Sequence, residues 1–434
     1  MKDFDLTKFK HIHFVGIGGI SMYSLAMYCK NLGLKVSGSD ASAGKYTTIC
    51  KHSGIKIYIG HKRKNVGGAD LVVYTSAVDR HNIEIVEAYE KKVPIMDRAD
   101  FVGEICKNYK CVIGVSGTHG KTTTSAMIYH ILRESGKKVS CHIGAEVEHA
   151  RLDSNDDYLV LECCEYNRSF LKFSCNIAVV LNIDNDHLDC YGNMYNLRNA
   201  FKTFVKRANT RFVFDNESTK CIKNKAMRVK PDEVVDLNKF IYNERKFVLD
   251  NVYGGHNINN ATIAIAVCLN LGLSYTKIYK ALKTFKSASR RCEVLGRGNN
   301  CDIITDYAHH PSEIECLYNA LKLKYDNIYL VFQPHTYSRT KILLYEFVKL
   351  FSGINHLFIF KEYPAREHKS KGYSAKELCA YLDNATYIKT YKQIKQLIAG
   401  QCFEDNSCVA FVGAGDINDV GARLAKAMMG ENKQ

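Results

Sequence analysis

The stretch Cys111-Val112-Ile113-Gly114-Val115-Ser116-Gly117-Thr118-His119-Gly120-Lys121-Thr122 decides the fold class. Cys111 to Val115 reads as a buried strand, Ser116 to Lys121 as a glycine turn, and Thr122 to about Arg133 as a helix. A turn of this composition, closing on a helix N-terminus, aims backbone amides at phosphate oxygens. The Lys121 side chain then reaches the outer phosphates of a nucleotide, and the Thr122 hydroxyl is suited to Mg²⁺. The strict phosphate-loop pattern asks for glycine five positions before Gly120, where this chain has Val115. The strand-turn-helix setting supports phosphate binding all the same.

On either side of this unit the same alternation recurs. His11 to Val15 is a strand, Gly16, Gly18 and Gly19 form a turn, Met22 to Leu32 is a helix, and Leu34 to Val36 a strand followed by Ser39 and Asp40. That is the opening of a Rossmann-like unit. Its dinucleotide fingerprint is incomplete, because Ser21 stands where the last glycine is expected. The pattern breaks around Glu104 to Lys110, a polar link between domains. After Arg290 and Arg291 the alternation restarts. It continues through Cys301–Thr305, Asn327–Phe332, His356–Phe360, Ala380–Tyr387 and Cys408–Val412. The expected architecture is α/β with three domains, residues 1–107, 108–292 and 293–434. Phe212 to Leu249 is irregular and strand-rich, an insertion at a sheet edge.

Charged groups cluster where such strands end. Glu162 closes one strand and Glu165 follows in its loop, while Asp184, Asp186, His187 and Asp189 follow the next. If those strands are central, Glu165 and His187 reach the region of the transferred phosphate, where a metal offsets developing charge. His256, Asn257 and Asn260 open a helix. Asn257 reads as its cap, or His256 and Asn260 together border an adenine. In the third domain Asp306-Tyr307-Ala308-His309-His310-Pro311 follows one strand and Gln333 to Arg339 another. If these strands are adjacent and parallel, His309, His335 and Arg339 share a cleft suited to phosphate or carboxylate. No cysteine or carboxylate spacing completes a zinc site there.

The chain has 434 residues, 46% of them hydrophobic, and its 60 Lys and Arg exceed its 45 Asp and Glu by 15. The basic residues are scattered, with no basic arm interleaved with aromatics, which argues against nucleic acid; the charge alone does not choose between a membrane surface and a small anionic substrate. The 17 cysteines are odd in number and form no CxxC pair, as expected of reduced thiols in the cytoplasm. No run of 18 uncharged apolar residues occurs, so no membrane insertion is expected.

These motifs together resemble the Mur ligases over nearly the whole chain. The resemblance rests on GIGGISM and SGSD near the start and GTHGKTTT and NIDNDHLD in the centre. GGHNINNA follows, then DYAHHPSE, FQPHTYSRT and FVGAGDI. The HHP and FQPHTYSRT motifs lean towards the members that add L-alanine to UDP-N-acetylmuramate. The resemblance implies a Rossmann-like first domain holding the uridine diphosphate through Gly16, Gly18, Gly19, Ser39 and Asp40. The central domain would bind ATP through Gly117, Thr118, His119, Gly120, Lys121, Thr122 and Thr123. Mg²⁺ would lie on Thr122 and Glu165, with His187 on a second metal. His256, Asn257 and Asn260 would border the adenine, Asp306 its ribose, and Arg291 the phosphates. Tyr307, His309, His335 and Arg339 would line the place where an acyl phosphate meets alanine, in a third domain that closes on ATP.

The chain departs from the family pattern at Ile20-Ser21-Met22, at Thr336 and at Cys164 and Asn167. A ligase that attaches a preformed peptide to the same sugar nucleotide, and a binding protein that holds ATP without catalysis, remain open alternatives. The expected assembly is a monomer or weak homodimer.

Overall fold

The computed structural model describes residues 5–186, 188–223, 225–298, 300–365, 367, 372–399 and 403–431. The chain divides into two compact units, Met1–Ala288 and Ser289–Gln434.

The first unit begins with five parallel strands, β1 (His11–Val15), β2 (Lys35–Asp40), β3 (Lys56–Ile59), β4 (Leu71–Tyr74) and β5 (Ile95–Asp97), in the order β3-β2-β1-β4-β5. Every residue of β1 is buried, as a parallel strand covered by helices on both faces requires. The strand order reverses at β1, which puts the glycine turn after Val15 at the crevice where open sheets bind ligands. Helices α1 (Ile20–Asn31), α2 (Lys45–His52), α3 (Ile83–Glu90) and α4 (Arg98–Cys106) complete this part.

The second sheet contains β6 (Cys111–Ser116), β7 (Val139–His142), β8 (Tyr158–Glu162), β9 (Ile177–Val180), β10 (Thr210–Phe214) and β11 (Met227–Val229). Its order is β11-β10-β9-β6-β8-β7. Helices α5 (Lys121–Glu134), α6 (Leu188–Tyr191) and α7 (Met194–Arg207) follow β6 and β9. A separate antiparallel meander of β12 (Glu233–Asp236), β13 (Lys239–Tyr242) and β14 (Arg245–Val248) packs through stacked Phe240 and Phe247, 5.6 Å apart. Helices α8 (Gly255–Asn270) and α9 (Tyr275–Thr284) close the unit, α8 lying along α5.

Two local expectations are corrected here. Glu104 is no linker residue: it lies in α4 and pairs with Lys107 one turn on, at 2.5 Å. The stretch Phe212 to Leu249 is also not one insertion, because β10 and β11 extend the parallel sheet and only the meander stands apart.

The second unit has β15 (Glu293–Gly298), β16 (Cys301–Asp306), β17 (Asn327–Phe332), β18 (His356–Phe360), β19 (Ala385–Ile388) and β20 (Ser407–Val412), ordered β15-β16-β20-β17-β18-β19. Only β15 is antiparallel. The helices are α10 (Pro311–Lys322), α11 (Tyr337–Ile342), α12 (Leu344–Phe351), α13 (Ala375–Cys379), α14 (Tyr391–Ala399) and α15 (Ile417–Glu431). The strand expected over Ala380–Tyr387 shrinks to β19, since α13 and its turn take up the residues before Ala385. The strands β16 and β17 are not adjacent either. Fully buried β20 separates them, pairing with both.

Candidate active site

Because β6 lies between β8 and β9, the groups at the ends of those strands flank the glycine turn. From the β9 side Asn182 clamps the turn: its Oδ1 accepts from the His119 amide at 2.8 Å and its Nδ2 donates to the His119 carbonyl at 3.0 Å. The Asp184 amide donates to Thr118 Oγ1 at 2.8 Å, and His119 Nε2 is 3.2 Å from the Asp184 carboxylate. Gly120 adopts φ 84°, and a side chain there would meet Asn260 Oδ1 at 2.6 Å. Glycine is therefore required twice over, by backbone conformation and by the close approach of α8. Thr123 follows Lys121 and Thr122 into the buried face of α5.

From the β8 side come two carboxylates with different partners. Glu165, 1% exposed at its side chain, pairs with Lys121 Nζ at 2.9 Å. Lys121 also donates to the carbonyls of Gly117 and Thr118. Burial opposes the charged ammonium, but the Glu165 carboxylate beside it outweighs that and raises the Lys121 pKa. Glu162 takes the other place. Each of its carboxylate oxygens is 3.1 Å from Thr122 Oγ1, and one also accepts from the Gly144 amide at 2.9 Å. The Thr122 hydroxyl thus faces Glu162, whereas Glu165 faces the lysine. All these donors are oxygens, the hard set that suits Mg²⁺. His187 lies outside the described residues.

The start of α8 corrects the reading of Asn257 as a cap. Gly254, at φ 95°, holds the N-cap position, and Asn257 Nδ2 donates back to the Tyr253 carbonyl at 2.8 Å. Asn260 is buried against the glycine turn, and His256, one helical turn earlier, is exposed.

The first glycine turn is held from β2. The Ser39 carbonyl accepts from the Gly16 and Ile17 amides at 2.8 and 3.0 Å, and Asp40 Oδ2 accepts from the Gly18 amide at 2.8 Å. A Cβ on Gly18 would stand 2.7 Å from that oxygen. Ser39 is fully buried beneath the turn, and its hydroxyl donates to Glu84 at 2.5 Å. Glu84 is itself buried. Burial raises its carboxyl pKa, yet His13 at 3.6 Å and hydrogen bonds from Ser39 and Asn65 outweigh that and bring it to about 2. Ser39 and Asp40 shape the turn from below, and Gly19 caps α1.

In the second unit Asp306 also turns inward. Its oxygens accept from the Cys292 and Ala308 amides, both at 2.7 Å, so the carboxylate anchors the loop that follows β16. Arg290 and Arg291 lie over the Tyr307 ring at 4.9 and 5.5 Å, and Arg290 donates to the Gly413 and Gly415 carbonyls. Although β20 intervenes, the loops after β16 and β17 converge above it: the His309 and His335 rings are 5.9 Å apart. His335 also stacks on Tyr363 at 5.7 Å. Arg339 Nη1 donates to His335 Nδ1 at 3.2 Å, which leaves the imidazole proton on Nε2. His309 carries a proton on Nδ1, which is 3.0 Å from the Tyr307 carbonyl, a group that only accepts, and 3.4 Å from the Glu313 carboxylate. Burial first, then the neighbouring His309, Arg339 and Arg290, lower the His335 pKa to about 3. Gln333, Asp416 and Tyr363, absent from the expected site, brace this loop: Gln333 Nε2 donates to Asp416 at 2.7 Å.

A phosphate-type turn at the centre of one parallel sheet, a glycine turn at the switch point of another and a third sheet with converging His and Arg define a nucleotide-using multidomain α/β enzyme. Family models agree: "Mur ligase family, catalytic domain" matches residues 11–110, "Mur ligase middle domain" 115–239 and "Mur ligase, glutamate ligase domain" 290–415. The chain is 39% identical to the UDP-N-acetylmuramate–L-alanine ligase of Acetivibrio thermocellus, covering 97% of each chain. It is 36% identical to that of Clostridium acetobutylicum, over 95% of this chain and 96% of the relative. A crystal structure of UDP-N-acetylmuramate-alanine ligase from Thermotoga maritima superposes with TM-score 0.83 at 28% identity, covering 98% of this chain and all of the other. A murein peptide ligase from Psychrobacter arcticus shares the fold, with TM-score 0.71 at 22% identity over 96% of this chain and 98% of that one. The chain belongs to the Mur ligase family.

Proposed function

We propose that this protein is an ATP-dependent ligase that joins L-alanine to the lactyl carboxylate of UDP-N-acetylmuramate, through an acyl phosphate, in peptidoglycan synthesis. The carrying observation is the Lys121, Thr122, Glu162 and Glu165 cluster on the central turn, in a chain 39% identical to a ligase of that name. Functionally the chain divides into 1–107 for the sugar nucleotide, 108–292 for ATP and 293–434 for the amino acid.

A carboxylate oxygen of the sugar attacks the γ phosphorus, the bond to the bridging oxygen breaks, and ADP leaves. Lys121, kept charged by Glu165, neutralises negative charge that moves towards the leaving oxygen. Bound Mg²⁺ would supply further charge compensation at the phosphates, and Thr122, Glu162 and Glu165 offer the oxygen donors for it. Amides of the Gly117–Thr123 turn cradle the phosphates, while His256, Asn257 and Asn260 border the adenine.

The neutral amine of alanine then attacks the acyl carbon, phosphate leaves, and the amine gives up a proton. His309 takes up that proton; His335, with its proton on Nε2, and Arg339 hold the alanine carboxylate. Tyr307 carries Arg291 on its ring face. No helix among the described residues is long and apolar enough to cross a membrane. The cytoplasm, where ATP and UDP-sugars are found, is the proposed location.

The test is phosphate release from ATP with Mg²⁺ and UDP-N-acetylmuramate, with and without L-alanine, and product mass. Release that depends on alanine, with one alanine added, supports the reading. Release only with a peptide acceptor would move the protein to the peptide-adding ligases, and no acceptor dependence would make it a binding protein.

A further inference from the structure

Within the first unit, three side chains outside the sites described above meet at one hydroxyl. Ser21, just after the first glycine turn, is 2.8 Å through Oγ from Nε2 of His142, the last residue of β7. Arg98, the first residue of α4, donates from Nη1 to the same Oγ at 3.1 Å.

His142 is 5% exposed, and its Nδ1 has no hydrogen-bond partner among the described residues. Burial, then the positive charge of Arg98, lower its pKa to about 3, so the ring is neutral. Its Nε2 fixes the Ser21 hydroxyl in place, and since arginine only donates, Ser21 Oγ accepts from Arg98.

The bond from Arg98 to Ser21 leaves guanidinium N–H groups over, and no carboxylate among the described residues lies within ion-pair distance. Asp97 next to it is held by Lys172 and by the cap of α4, and Glu162 by Thr122 and Gly144. A half-buried guanidinium with N–H groups to spare and no carboxylate counter-ion, beside a hydroxyl held in place, is a receptor for an anionic oxygen.

We propose that Ser21 and Arg98, with His142 as a positioning residue behind them, form an anion-binding site that seats an oxygen of the sugar nucleotide between the first glycine turn and the end of β8. The site rests on the functional reading above. Both the diphosphate and the lactyl carboxylate offer such oxygens. The hydroxyl at position 21 gives the turn a side-chain donor beside the guanidinium.

The test measures binding of UDP, UDP-N-acetylglucosamine and UDP-N-acetylmuramate to the full chain by titration calorimetry, for the unaltered protein and for Arg98→Gln, Ser21→Ala, His142→Gln and His142→Leu. Binding of a non-hydrolysable ATP analogue serves as the folding control. Arg98→Gln is expected to weaken UDP-N-acetylmuramate at least tenfold and Ser21→Ala severalfold, with the ATP analogue unaffected. A loss shared by all three uridine ligands assigns the diphosphate, and a loss confined to UDP-N-acetylmuramate the carboxylate. His142→Gln, which keeps a polar partner for Ser21, retains binding that His142→Leu loses. Unchanged binding of all three ligands by Arg98→Gln overturns the site. If the unaltered protein binds none of them while the ATP analogue still binds, the functional reading fails and the site with it.

Discussion

Thr122 Oγ1 stands at the same 3.1 Å from both carboxylate oxygens of Glu162. The acid nearest the metal-suited hydroxyl is therefore the one that ends β8, not Glu165 in the loop beyond. Glu162→Gln keeps the shape and removes the charge. The expected result is a rise of about tenfold or more in the Mg²⁺ concentration giving half-maximal activity, as for loss of a charged ligand or its orienting partner. Titrating Mg²⁺ at saturating ATP measures it; an unchanged midpoint would return the role to Glu165 alone.

Lys121 is held by Glu165 and by two carbonyls of its own turn, so its ammonium is fixed at the turn. Lys121→Ala should lower kcat by at least roughly 10²–10³-fold, the scale for removing one preorganised donor from developing charge. Near-normal product formation by this variant would sink the ligase assignment.

Gly120→Ala tests the turn through its backbone. The φ of 84° and the 2.6 Å approach to Asn260 leave no room for a methyl group. A left-handed alanine costs about 1–2 kcal/mol before any clash, so ATP affinity should fall at least tenfold, with UDP-sugar binding intact. Calorimetric titrations with each ligand separate the two effects.

Arg339 and His335 interlock in the second unit. Arg339→Ala is expected to raise KM for L-alanine about 10–100-fold, from the roughly 1.5–3 kcal/mol of a charged hydrogen bond, while the KM for ATP changes little. A fall in kcat with an unchanged KM for alanine would instead place the guanidinium on the phosphate.

His142 makes the first unit acid-sensitive. Its pKa is about 3 in the fold against 6.5 when free, so between those values the unfolded chain binds a proton that the folded one refuses. Stability is therefore lost as pH falls from about 6.5 towards 3, at about 1.4 kcal/mol per unit. His142→Gln removes this contribution. Its urea midpoint should decline less than that of the unaltered protein between pH 7 and 4.5, and parallel declines would refute the assignment.

The glycine turns were legible in the sequence because a turn at φ 84° between a buried strand and a helix leaves few residues to choose from. Strand order was less so. Nothing local in Ser407–Val412 says that it inserts between β16 and β17, since all these strands read as apolar runs. The inward turn of Asp306 depends on the amides of Cys292 and Ala308, the first of them on another strand's approach. Ser21 was visible only as a missing glycine. Its meaning rests on Arg98 and His142, which the chain supplies from distant positions.

The place of β20 bears on how the protein is made. It is the last strand of its sheet to leave the ribosome and the one on which β16 and β17 both hydrogen-bond. Until it emerges, two apolar strands present open edges to whatever is nearby, the condition in which nascent chains recruit chaperones or pair wrongly. The first sheet of the chain waits for no such late arrival, because all its strands precede Arg98. Translation thus completes the first sheet early and the last only near its end. A stalled or truncated product lacking Ser407–Val412 is expected to bind UDP-sugar and to aggregate through its second unit.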